Sequence, residues 1–550
     1  MRMYRTGLRA TAGLMAVALI AAGCSGASEE PDDNAASDAE GSFSIQWGEP
    51  ENPLIPANTS ESQGHVVIEA LFTGLVAYNP KTAETEMANA ESIDSPDGTV
   101  YTIKLKPGWT WHDGTPVIAQ DYVDTWNYAA YSPNGMATGT FLADIKGFDQ
   151  TWTEDPDGDG PKTMPKPAAD KLSGLEVVDE TTFKATLAAP SKLWPLKLGY
   201  TAFFPLPKVF FTDPEAFGQN PVGNGPFKMV RWTRNTELVV TRNDAYQGAD
   251  KAKVKEITFK VYTDAAAAYA DVQGGTLDYQ QQVPSASLQG DKYKSDFPDR
   301  SLSQPIASSA FLEVPKYDDK YKNPKLRQAI SLAIDRKLIT EKIFNNARVP
   351  MDSFVNPGTP GYRPKTCGDF CTYDPARAKA LLAEAGGFTG ELSIAYNADA
   401  SHQEWVDATC NSIQTTLGVT CNGKPFPTFG EFRQVVNDHK MTSMWRSGWQ
   451  ADYPIIENWL TPLLRTGASS NDGLYHNEAF DAKLKEADGT PDLDAAVKLY
   501  QQAEDMLAAE MPIIPLWHSA QQTVWSERLN NVVVDTFGEL DLSSVEVRAS

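Results

Sequence analysis

From Phe43 onward, segments with the two-residue alternation of a strand are interleaved with segments of helical spacing, and no unit recurs at a fixed period. Thr99 to Leu105 puts Tyr101, Ile103 and Leu105 on one face, and Glu256 to Thr263 does the same with Ile257, Phe259 and Val261, which predicts two half-buried strands. Asn323-Pro324 supplies an N-cap and a proline at the first helical position, after which Leu326, Ile330, Ala333 and Ile334 follow helical spacing. Asp335 reads as the cap of the next helix, carrying Leu338, Ile339 and Ile343. Asp374-Pro375 repeats that grammar with Ala378, Leu381, Leu382 and Ala385, stopped by Gly386-Gly387. The expected fold class is therefore mixed α/β, without the regular βα unit of a barrel. A chain of 550 residues is too long for one core, and two to four lobes are expected. Joints are marked by the acidic loop from Asp155 to Lys166 and by Asn220 to Pro226.

Composition removes two classes. With 13 Trp, 20 Tyr and 23 Phe the chain carries too much large apolar surface to stay unfolded. A formal charge of −24 speaks against nucleic acid, whose binding needs Lys and Arg to neutralise phosphates. Residues 1–23 hold Arg2, Arg5 and Arg9 and no acid, then the apolar run Ala10 to Ala22, which reads as an export signal and is too short to span a bilayer comfortably. Cys24 follows Ala21-Ala-Gly23 and resembles the lipobox cysteine of bacterial lipoproteins, although Leu is commoner at the place of Ala21. Lipidation of Cys24 is expected, with residues 24–42 as a solvated tether poor in aromatics. Cleavage removes three arginines and takes the formal charge to −27.

Four cysteines then remain, Cys367, Cys371, Cys410 and Cys421, and an even set outside the cytoplasm suggests disulfides. The short spacings favour the local pairs Cys367 with Cys371 and Cys410 with Cys421; a zinc site is the rival, and spacing does not exclude the other connectivities. Asp155 to Gly160 matches the first half of a calcium loop, but Lys166 stands where a bidentate Glu is needed. The chain has no H-E-x-x-H, G-x-S-x-G or Walker loop, and no two of its six histidines have metal-ligand spacing. His112 reads as part of a packed aromatic turn. No catalytic residue, metal or cofactor is expected.

The segment Trp445 to Pro454 combines two tryptophans, Arg446 and Asp452. It reads either as a core strand whose Asp452 caps the next helix, or as a recognition strand. In the second reading Arg and Asp give charge-assisted bonds to a carboxylate and an ammonium, and the indoles form tolerant apolar walls.

At this point the sequence resembles the peptide-binding extracytoplasmic solute-binding proteins of ABC importers, family 5. Five ordered blocks carry the likeness: Ile68 to Val76; Trp111-His-Asp-Gly-Thr-Pro116 with Ala119 to Tyr122 and Trp126; Gly223-Asn-Gly-Pro-Phe227 with Trp232 and Arg242-Asn243; Leu326 to Ala329 with Ala333 to Arg336; and Gly448 to Tyr453. The resemblance implies a type II periplasmic-binding-protein-like, venus-flytrap fold of three lobes with lobe I discontinuous. Lobe I would comprise 43–80, 203–305 and 516–550, the extra lobe II 81–202, and lobe III 306–515, with Met511 to Leu516 returning near the hinge. It further implies that an oligopeptide lies extended between lobes, its α-ammonium on Asp452. Gly448, Trp449 and Gln450 would supply backbone pairing and a wall, Arg446 would meet the carboxylate of short peptides, and Ser60 and Ser62 would flank the opposite backbone rail.

The implied role is a monomeric, lipid-anchored receptor outside the cytoplasmic membrane, on the cell surface or in a periplasm, serving an ABC permease and ATPase complex. The same role for another solute, an oligosaccharide or metal chelate, is the alternative, and a secreted hydrolase is a distant third.

Overall fold

The computed structural model describes residues 37–153 and 165–549. Cys24, the export signal, most of the tether and most of the loop from Asp155 lie outside the described residues. The main sheet has eleven strands among them, and two strands of 13 residues, Ser301–Glu313 and Ile513–Trp525, run antiparallel through its middle. On one flank Ser308 to Glu313 pair with Met444–Gln450, and beyond that strand lie Leu392–Asn397 and Cys421–Phe426. On the other flank Val524 and Trp525 pair with Tyr279–Gln280, followed by Ser42–Trp47, Glu256–Val261, Glu237–Arg242 and Phe227–Thr233.

The two long strands therefore belong to both halves of the sheet, one end to each. Their ladder slips between Pro305 and Ser309 and again between Ala310 and Phe311, the latter facing Pro515. A proline stands at each slip because it has no N–H to give to the ladder.

A second, four-stranded sheet takes Ala90–Asp94, Val100–Leu105, Thr182–Thr186 and Leu175–Asp179. Tyr101, Ile103 and Leu105 are buried as the alternation predicts. Helix Ala119–Ala130 packs Tyr122 and Trp126 on Phe183 at centroid distances of 5.6 and 5.4 Å. Asp121 accepts hydrogen bonds from the Trp111 indole and the Ile118 backbone, both 3.0 Å, so that the tryptophan-rich block serves the fold. His112 is held by Gly223 N–H at 3.0 Å, and desolvation lowers its pKa to about 4, leaving a neutral packed ring. A Cβ on Gly223 would fall 1.8 Å from the Leu71 carbonyl, which is why that position is glycine.

The predicted caps are present. Asn323, Asp335 and Asp374 each accept a backbone N–H at 3.0 Å at the heads of Pro324–Leu332, Arg336–Phe344 and Pro375–Glu384. The first of these helices ends at Leu332, so Ala333 and Ile334 are buried just past it and not within it. Buried Arg327 and Arg336 donate to main-chain carbonyls, including those of Met511 and Pro515, and so clamp the start of the returning strand. Both local disulfides are present, Cys367–Cys371 and Cys410–Cys421. Among the described residues no helix is long and apolar enough to cross a membrane.

Candidate functional site

Where the two halves of the sheet face each other they enclose a cavity of about 1330 Å³. That exceeds the roughly 300–1,000 Å³ usual for small-ligand pockets, leaving room for a chain-like ligand. All seven residues singled out for ligand contact line it: Ser60, Ser62, Arg446, Gly448, Trp449, Gln450 and Asp452.

Five of them come from the strand Met444–Gln450 and the residues just after it. Along one edge this strand is paired from Trp445 to Gln450 with Ser308 to Glu313. Along its other edge strand partners reach only Met444 and Trp445. Arg446 to Gln450 thus keep one unpaired edge among the described residues, and they line the cavity. Gly448 is exposed there, and a Cβ at this position would meet the Ser309 carbonyl at 3.1 Å.

Asp452 follows the strand and does not cap a helix; the next one, Glu457–Leu464, begins five residues later. Its backbone N–H donates to Asn458 Oδ1 at 2.8 Å, and Asn458 Nδ2 donates to Asp452 Oδ2 at 2.8 Å. The Trp449 indole N–H donates to the same Asn458 oxygen at 3.0 Å. Desolvation lifts the Asp452 carboxyl to about 7, against the pull of Asn458, His65 and Tyr200.

His65, on helix Ser62–Leu71, stacks on Tyr200 and stands 3.2 Å from Glu69. Desolvation opposes its charge, but Glu69, with Glu539 and Asp452, outweighs it and raises the imidazole to about 9. Asp535 is lifted to about 8 by desolvation and by Glu539, and Glu539 is itself raised by burial. Gln450 bridges the halves by donating to Glu539 at 2.8 Å. This end of the cavity is therefore acidic, with His65 its cation.

The other end holds two arginines. Arg446 donates to the Asn397 side chain at 2.8 Å, lies 5.1 Å from the centroids of Phe429 and Phe432, and makes no ion pair among the described residues. Desolvation and nearby Arg433 lower it to about 10, so it stays charged at neutral pH. Arg433 is by contrast held between Asp472 at 2.7 Å and Glu51 at 3.5 Å. Glu51 also accepts from Asn437 at 2.6 Å. Desolvation raises neighbouring Glu61 to about 7.

Sequence reading missed His65, Glu69, Tyr200, Arg433, Asp535, Glu539 and Asn458. The four-residue spacing of His65 and Glu69 was the one local signal; Tyr200, Arg433, Asp535 and Glu539 reach the cavity only through the fold, and Asn458 is buried behind Asp452 and Trp449.

The pattern described as "Bacterial extracellular solute-binding proteins, family 5 Middle" matches residues 84–471, well over half of the chain. The chain belongs to this family. Among curated relatives of this family 5 protein, the periplasmic oligopeptide-binding protein OppA of Salmonella typhimurium is 27% identical over 467 residues, covering 82% of this chain and 81% of its own. Heme-binding protein A of Haemophilus influenzae is 26% identical over 558 residues, covering 96% and 97%. Among solved structures, the murein tripeptide binding protein MppA of Escherichia coli superposes with a TM-score of 0.83 at 24% identity, covering 94% of this chain and all of the other. The unliganded open form of MppA gives 0.64. The fold is the type II periplasmic-binding-protein-like α/β fold.

Proposed function

We propose that this family 5 protein captures oligopeptides outside the cytoplasm and hands them to an ABC permease and ATPase complex. One observation carries the reading: the strand Met444–Gln450 offers an unpaired edge to the cavity, with Arg446 near one end and Asp452 just past the other. An extended peptide added to that edge pairs through its backbone, which is indifferent to side chains. Its ammonium meets Asp452 and its carboxylate meets Arg446. The name of the Salmonella relative supports this assignment.

Lobe I (43–80, 203–305 and 516–550) and lobe II (81–202) would close against lobe III (306–515). The proline slips at Pro305 and Pro515 support a hinge at the two crossings, and the four-stranded sheet falls inside 81–202. A ligand touching both sides stabilises the closed form by its differential affinity. Cross-cavity contacts such as Gln450 with Glu539 and Arg433 with Glu51 accompany closure. Cys24 would carry the lipid that holds a monomer at the membrane, and binding without covalent chemistry is the whole task.

The test is calorimetry of the purified protein with a tripeptide and with cello-oligosaccharides. Tripeptide binding, with the peptide recovered intact, is the predicted result. Affinity for the sugar alone would overturn the peptide assignment in favour of another solute, a possibility the haem-binding relative keeps open. Cleaved peptide would point to the hydrolase.

A further inference from the structure

We propose that Asn458 is the positioning residue of this site: its carboxamide locks the Asp452 carboxylate and the Trp449 indole into the one arrangement that receives a ligand's ammonium group. The inference rests on the peptide reading above.

Asn458 is fully buried at the second position of helix Glu457–Leu464. The three hydrogen bonds of its carboxamide all go to Asp452 and Trp449. Oδ1 accepts from the Asp452 backbone and from the indole, at 2.8 and 3.0 Å, and Nδ2 donates to Asp452 Oδ2 at 2.8 Å. Backbone and indole N–H groups can only donate, so the orientation of the amide is fixed by its partners. The carboxamide offers an acceptor for both donors and, from a separate atom, a donor for the carboxylate at once. Leucine of similar size would leave two donors without partners, and aspartate would keep the acceptor but face Asp452 with a second carboxyl.

The donated bond also favours the ionised carboxylate, the form an ammonium needs. The groups facing Asp452 are His65 from helix Ser62–Leu71, Tyr78, Tyr200, and Tyr453 and Glu457 from its own segment. Glu457 cannot take over the role of Asn458: its carboxylate is occupied by Lys197 at 3.1 Å and by the Tyr453 hydroxyl at 2.7 Å. With the Asn458 donor gone, desolvation acts on Asp452 with less opposition and the carboxyl titrates higher.

The experiment measures the affinity of the full chain for a tripeptide and for its N-acetylated counterpart by calorimetry from pH 6 to pH 9, in wild type and in Asn458→Leu. The ligand's own titration is common to both proteins, so a difference in midpoint reports the protein. The expected result is an upward shift of the midpoint for the free tripeptide by about one pH unit or more. Its affinity at pH 7 should fall about tenfold, with less than about threefold change for the acetylated peptide. Equal losses for both peptides at every pH, with an unmoved midpoint, would reduce Asn458 to packing and overturn the proposal, as would no change at all.

Should Asn458→Leu fail to fold, Asn458→Ala removes the carboxamide without adding a charge and is read by the same criterion. If wild type binds neither peptide, the peptide reading itself falls. Positioning is then judged on the ligand-free protein by carboxyl carbon NMR of Asp452, where an unmoved titration in Asn458→Ala overturns it and an upward one sustains it.

Discussion

Asp452→Asn isolates the charge on which the proposed ligand orientation depends. The substitution preserves the local network, because an asparagine oxygen can still accept the 2.8 Å bond from Asn458. What is lost is the negative charge facing the ligand's ammonium. Removing one member of a buried, hydrogen-bonded charge pair costs about 2–5 kcal/mol, and the lower figure already corresponds to roughly 30-fold in affinity. The pH of the assay matters. Desolvation lifts the Asp452 carboxyl to about 7, so near that pH part of the wild-type protein is uncharged there and the contrast is blunted. A free peptide amine titrates near 7.7–8.0, and about pH 7.5 is the best compromise.

Calorimetry with a tripeptide at that pH should show affinity reduced at least about 30-fold, and N-acetylation of the peptide should erase most of the difference between the two proteins. The variant should melt no lower than wild type, since a carboxylate held above its ordinary range by desolvation opposes folding once ionised. Affinity within threefold of wild type for the free tripeptide, or an equal loss for the acetylated one, would refute the assignment of Asp452 to the ammonium.

Further outcomes follow from neighbouring groups. Arg446→Ala removes a guanidinium bonded to Asn397 but not ion-paired among the described residues, and should weaken a tripeptide about tenfold while leaving its C-terminal amide nearly unaffected in the same calorimetric assay. The ligand-free protein should lose thermal stability between pH 4 and pH 8. Asp452, Glu61 and Asp535 have folded-state pKa values raised to about 7, 7 and 8, so the folded state holds protons that the unfolded chain releases. His65, raised to about 9, contributes stability that is complete below its ordinary value and fades as pH rises through 9, in the same direction. Asp535→Asn should therefore raise the melting temperature at pH 8 and hardly change it at pH 4, as read by calorimetric scans. Lys197→Met leaves Glu457 and Asp144 without the cation they share at 3.1 and 2.9 Å, and urea unfolding should show a loss of about 3–5 kcal/mol.

Much of the framework was legible because its signals are local. An Asn or Asp before a proline or an apolar run caps a helix wherever the chain goes, as at Asn323, Asp335 and Asp374. The alternation of Tyr101, Ile103 and Leu105 likewise forecasts a strand with one buried face. The seven residues proposed for ligand contact were picked out through resemblance; all line the cavity, and five of them cluster within a single segment. His65 and Asp535 escaped because they come from stretches more than 400 residues apart and meet the same carboxylates only once the sheet is assembled. Asp452 was open to being a helix cap on residue type alone. The structure places the helix start at Glu457, and Asn458, an unremarked polar residue in an apolar helix, turns out to hold that carboxylate.

Mass spectrometry of the small molecules released when the purified protein is denatured tests the central claim most directly. Recovery of oligopeptides with free amino termini is the predicted result. Recovery of an oligosaccharide, a haem or a metal chelate in their place would contradict the account.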